Sequence, residues 1–127
     1  NYERLIEGAW VHYRDGWYYL FYSGDNCCGE RAHYATLVAR SRSATGPFET
    51  RGNVRGAAHA PIIAADARWL APGHNSVITD ASGRSWTLYH AIDRRRPRAR
   101  DEDGINTRRV MLLGELVWED GWPRLAD

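Results

Sequence analysis

A chain of 127 residues has room for one domain with a core of its own and too little for two. Its 17 basic residues against 16 acidic ones leave no electrostatic case for nucleic acid or an anionic membrane. No stretch approaches the roughly 20 apolar residues of a membrane span. The useful skew is aromatic, with six Trp and seven Tyr against two Phe. Such amphipathic rings favour strands and often line sugar-binding clefts, where a flat ring covers the apolar face of a furanose or pyranose. The two cysteines are neighbours, Cys27-Cys28, and staple no distant segments, so the redox compartment stays open. The chain starts at Asn1 without a charged-then-apolar leader, and a processed or truncated start is expected; secreted and cytoplasmic locations both remain open.

The elements read as all-β. Asp15-Gly16 is a hairpin turn, and Trp17 to Ser23 is a nearly continuous apolar and aromatic run, as in a strand buried on both faces. His33 to Arg40 is another strand, followed by a turn at Ala44-Thr45-Gly46-Pro47. Ala57 to Ala71 is Ala-rich, but Pro61 and Pro72 favour a loop with one short strand at Ile62-Ile63 over a helix. Strands follow at His74 to Thr79 and Ser85 to Ile92. Arg94 to Gly104 then reads as a charged, solvated loop. Thr107 to Trp118 is the last long strand, and Asp120-Gly121 turns into Trp122-Pro123.

A repeat underlies this order. Setting "EGAWVHYRDGWYYLFYSG" over "HNSVITDASGRSWTLYHA" puts Gly16 over Gly83 and Glu7 over His74. Two consecutive antiparallel units suit two blades of a β-propeller, about 1–60 and 61–127, each a sheet of about four strands. Glu7 and His74 would then open the innermost strands of neighbouring blades and converge on the axis.

The stretches "IEGAWVHYRDGWYYLFYSGDNCCG", "HYATLVARSRSATGPFE", "APGHNSVITD", "WTLYHAID" and "RVMLLGELVWEDGWP" together resemble the C-terminal part of glycoside hydrolase family 43. The resemblance implies a five-bladed propeller acting on arabinan, arabinoxylan or xylo-oligosaccharides of the plant cell wall. It implies an acidic trio of a general base, an orienting Asp and a Glu general acid. Glu7-Gly8-Ala9 matches the first two positions of the family's Glu-Gly-Pro acid motif and departs at the third. His74 in "GHNS" corresponds to the axial histidine that in arabinanases binds calcium, mostly through waters. Both Asp residues of the trio would lie upstream of Asn1. Two blades alone are thus expected to be inactive and to need N-terminal blades, or another chain, to close the ring.

Inverting glycoside hydrolysis requires two carboxyl groups flanking the scissile bond, one protonated and one ionised. Glu7, between Ile6 and Trp10, is the candidate acid, against the alternative of a carboxylate capping backbone N–H groups. Asp15, Asp25 and Asp80 read as turn residues. Cys27 and Cys28, in a loop that the family resemblance places as a wall of the substrate site, are read as reduced apolar side chains, with a vicinal disulfide as the alternative. Tyr22 and Trp69 are core or sugar platform, and Trp69 is the preferred platform. Asn75, Ser76, His90 and Arg109 are candidates for sugar hydroxyls, with pairing to a carboxylate as the alternative for Arg109. Zinc finds no ligand cluster, and calcium would be largely water-coordinated. The competing readings are a non-catalytic carbohydrate-binding piece and a half-propeller that assembles with a second chain.

Overall fold

The computed structural model describes residues 2–51 and 60–127, with Asp101 described by its backbone alone. The described strands of the N-terminal half are β1 (Ile6–Arg14), β2 (Trp17–Asn26), β3 (His33–Ser41) and β4 (Glu49–Thr50). They hydrogen-bond in that order as one antiparallel sheet. The C-terminal half contributes β5 (Trp69–Thr79), β6 (Ser85–Asp93), β7 (Arg98–Asp101), β8 (Gly104–Thr107), β9 (Arg109–Glu119) and β10 (Trp122–Leu125). Here β5, β6, β9 and β10 form a second four-stranded sheet in that spatial order, and β7 and β8 form a hairpin between β6 and β9. Each sheet thus begins at one edge and finishes at the other, the strand order of propeller blades.

Turn chemistry fixes each register. Asp15 (φ 50°) and Gly16 (φ 77°) are both left-handed, as a two-residue hairpin loop matching strand twist requires, and Arg14 pairs with Trp17. In the second sheet the loop after Thr79 is organised by Asp80. Its carboxylate accepts from the Ser82 and Arg84 N–H groups and from Trp86 Nε1. Hydrogen bonds from Ser82 and Trp86 hold this carboxyl far below the usual range.

The sheets pack face to face, with β5 lying on β1, β2 and β3. Tyr19, Phe21 and Val38 meet Val77, Leu116 and Trp122 in a shared core. Polar ties close the outer side of this interface. Tyr19 Oη donates to the Gly121 carbonyl at 2.7 Å. The Arg40 guanidinium lies 4.1 Å from the Trp17 ring and 4.3 Å from that of Trp122, and donates to the same carbonyl. Only a planar cation stacks and forks in this way.

The opposite faces carry uncovered apolar side chains. Val11 and Tyr13 project from the first sheet, and Ile78, Met111 (75% exposed) and Leu113 from the second.

Three expectations change. The strand foreseen at His74 begins at Trp69, so Trp69 stands in β5 rather than in a loop. Ile62-Ile63 forms no strand; Ile63 makes an isolated bridge to Thr36, while Ala57 to His59 lie outside the described residues. The arginine-rich segment is not simply a solvated loop. From Arg98 it forms the β7–β8 hairpin, because Arg98 pairs with Glu30 at 2.6 Å and Thr107 Oγ1 accepts the Gly29 N–H at 3.0 Å.

Trp122, 2% exposed, fills the centre of the shared core. Trp122→Ala is expected to cost about 3–5 kcal/mol, read from the urea midpoint at unchanged m-value.

Candidate active site

Two irregular strands meet at one end of the interface. In β1, Glu7 faces Ser23 but the next pair is Trp10 with Phe21, so Gly8 and Ala9 bulge. Gly8 is left-handed at φ 62°, and a Cβ on it would lie 3.2 Å from the Cα and Cγ of His74. In β5 the register slips twice, between Leu70 and Gly73 and between Gly73 and Ser76. Ala71 (φ 52°) and His74 (φ 54°) take the positive dihedrals. The double bulge turns the His74 N–H onto Ser23 Oγ at 2.6 Å, while the His74 side chain stands exposed.

Tyr34 lies beneath this crossing. A Cβ on Gly73 would sit 2.2 Å from its Cε1. Tyr34 Oη donates to Glu7 Oε1 at 2.9 Å. Burial, reinforced by that bond to Glu7, pushes the phenol pKa up to about 12, so it remains a donor at ordinary pH. Glu7 itself is exposed, as are Ile6 and Trp10, so the apolar enclosure expected around it is not formed within this chain. Glu7 and His74 do converge, through Gly8.

Behind His74 stands His90, with ring centroids 5.9 Å apart. Arg109 holds it. The guanidinium donates Nε–H to His90 Nδ1 and Nη2–H to the His90 carbonyl at 3.0 Å. Further bonds go to the carbonyls of Ala71 and Cys27. Arginine only donates, so His90 Nδ1 must accept, which makes the imidazole neutral with its proton on Nε2. Burial, then the charge of Arg109 and the neighbouring His74, lower the His90 pKa, with Glu7 opposing. Ser76, Leu88 and Met111 join His74 and His90 around a hollow of about 190 Å³.

The other expected residues divide. Cys27 and Cys28 form a vicinal disulfide instead of two thiols, in a loop that Arg109 grips through the Cys27 carbonyl. Arg109 donates its hydrogen bonds to protein groups. Trp69 is half-buried, with the Arg68 guanidinium 4.5 Å over its ring. Asn75 is 3% exposed, its Nδ2 on Thr87 Oγ1 and its Oδ1 unpartnered among the described residues. Tyr22 packs with Leu37 and Ala39 away from the Glu7 side and bonds Glu3. Asp25 is a buried strand residue rather than a turn residue; Arg4 and His33 hold its carboxyl below the usual range. Sequence reasoning missed Tyr34 and Ser23. Counting out from the Asp15-Gly16 turn brings Ser23 opposite Glu7 once a bulge is allowed at Gly8, whereas Tyr34 stands opposite Asp25 in the β2–β3 register and has no such local signal.

The residues present do not make a calcium site on their own. Among the described residues no group of three or more His, Cys, Asp or Glu gathers, and His74 offers a single nitrogen where calcium prefers six to eight oxygens.

The sequence profile of glycosyl hydrolases family 43 matches residues 3–123. The chain belongs to this family. It is 31% identical over 129 residues to the arabinan endo-1,5-alpha-L-arabinosidase C of Emericella nidulans, a match covering 93% of this chain and 38% of that protein. It is 29% identical to an extracellular exo-alpha-(1->5)-L-arabinofuranosidase of Cellvibrio japonicus, covering 96% of this chain and 33% of the relative. The alpha-L-arabinanase structure of Cellvibrio cellulosa superposes with a TM-score of 0.76 at 28% identity, over 95% of this chain and 36% of that one. The chain therefore spans about a third of the length of these relatives. Its two sheets are two blades of the five-bladed family 43 propeller.

Two outcomes follow from the geometry. Gly73→Ala should lower stability by about 1–3 kcal/mol and broaden the Tyr34 ring signals, because the added methyl overlaps the ring; unchanged melting would contradict the close approach. His90 and His12 both have lowered pKa values, mainly through burial. The unfolded chain therefore binds more protons between the ordinary value near 6.5 and the lower folded values. Melting temperature should fall as pH drops through that window, and imidazole NMR titrations should place both groups below 6.5.

Proposed function

We propose that the protein carrying this chain is a glycosidase cleaving α-L-arabinosidic linkages by single-displacement, inverting hydrolysis, with Glu7 as general acid. The observation that carries this reading is the placement of Glu7 on an exposed edge strand, with Tyr34 fixing Oε1 and leaving the other oxygen toward solvent. A carboxyl so held protonates a leaving-group oxygen arriving from the open side. A phenol hydrogen bond sets its rotamer without taking up both oxygens. Neutral His90, tethered by Arg109, offers Nε2–H to a sugar hydroxyl in the adjoining hollow.

Inversion also needs a carboxylate roughly 6.5–9.5 Å from the acid to activate water. We assign it, and the third acidic group, to blades beyond the third of the relatives' length that this chain spans. The uncovered apolar faces at Val11 and Tyr13, and at Ile78 and Leu113, are where such blades would pack. A set of two blades supplies the acid half of the reaction and part of the sugar-binding wall.

In the intact protein, Glu7→Gln should reduce turnover of linear arabinan by about 10²–10⁴-fold while leaving oligosaccharide affinity nearly unchanged. The loss should shrink on aryl arabinosides, whose leaving groups need no proton, and the first sugar released should show inverted anomeric configuration by NMR. Equal losses on both substrates would remove Glu7 from the acid role. Binding without any turnover in the unsubstituted protein would favour the non-catalytic carbohydrate-binding reading.

A further inference from the structure

A second, larger cavity lies beside the Glu7 cluster. It measures about 520 Å³ and opens between the loop after β2 and the β7–β8 hairpin. Its floor is apolar, from Leu70 and Ile92, and its more exposed lining carries Ile105 with the polar Glu30, Arg98 and Asn106. The two walls come from different sheets and are tied together by the Arg98–Glu30 pair and the Gly29–Thr107 hydrogen bond. These ties make it a built cleft rather than a gap between loops.

Its chemistry narrows the ligand. An apolar floor covers C–H faces, while amide and guanidinium groups around the edge meet hydroxyls. Among the described residues that line the cavity the charged side chains are Arg98 and Glu30, and they pair with each other, so that lining has no surplus charge to offer an anion. Its position narrows the ligand further. Leu70 precedes Ala71, whose carbonyl holds Arg109, and Ile92 lies two residues beyond His90. The Cys27 carbonyl takes Arg109 from the site side, while Gly29 and Glu30 face the cavity. The disulfide loop therefore lies between Arg109, which holds His90, and the cavity that Gly29 and Glu30 line.

We propose that this cavity is a distal subsite for a neutral oligosaccharide, receiving sugar units remote from the linkage held at Glu7. The assignment rests on the function proposed above. Amide NMR of the intact protein titrated with arabino-oligosaccharides reads the two regions separately. A disaccharide should move Gly8 and His74 alone. A hexasaccharide should also move Gly29, Asn106 and Thr107. Ile105 is 57% exposed, so Ile105→Trp should fill the cleft without altering the melting temperature. That variant should weaken the hexasaccharide by roughly tenfold and leave the disaccharide unaffected. Cavity amides that stay still while Gly8 and His74 move would overturn the subsite alone, and stillness of both sets would overturn the functional reading as well. Shifts of the cavity amides with oligogalacturonate but not with arabino-oligosaccharides would also overturn it.

Discussion

The contact of Gly73 with the ring of Tyr34 is the constraint on which the site depends. Because position 73 has no Cβ, the edge strand of the second sheet comes down onto the aromatic face. That approach brings the His74 N–H to Ser23 and sets His74 against Gly8. Tyr34 is tied to all sides of the arrangement at once. It donates to Glu7, packs with Ala71 and Ile92, and lies 5.7 Å under the Arg109 guanidinium. A single buried phenol thus couples the angle between two blades to the orientation of the carboxylate.

Arginine recurs wherever one sheet must recognise the other. Arg40 is sandwiched between two tryptophans and spans the outer end of the interface, while Arg109 gathers three carbonyls and an imidazole at the inner end. Both tasks need a planar group with several donors in fixed directions, which a lysine ammonium lacks. Between them lies an apolar core, so the interface is hydrophobic in the middle and directional at both ends.

Regular elements were legible because their turns are local. Asp15-Gly16 and Asp120-Gly121 announce hairpins, and the aromatic runs beside them read as strands. What stayed hidden depends on distant partners. The start of β5 contains Pro72 and two left-handed residues, which break the pattern of a strand; an edge position tolerates the proline's missing N–H, and the bulges absorb the rest. The β7–β8 hairpin reads as loop because its anchors, Gly29 and Glu30, lie far away in sequence. The convergence of Glu7 with His74 was readable from the repeat. The role of Tyr34 was not, since only the absence of a side chain at Gly73 creates it. Adjacent cysteines read in sequence as a reduced pair with a bonded one as the alternative, and the loop is bonded.

The Tyr19–Gly121 hydrogen bond joins groups 102 positions apart, and Trp122 seals the core that Tyr19 and Phe21 begin. During synthesis the first sheet would leave the ribosome long before its cover does. Its inner aromatic face would stay only partly covered, by β5, until β10 arrived. Closure of this pair is then a late, high-contact-order step, because the sealing contacts join β2 to β10 and the turn before it.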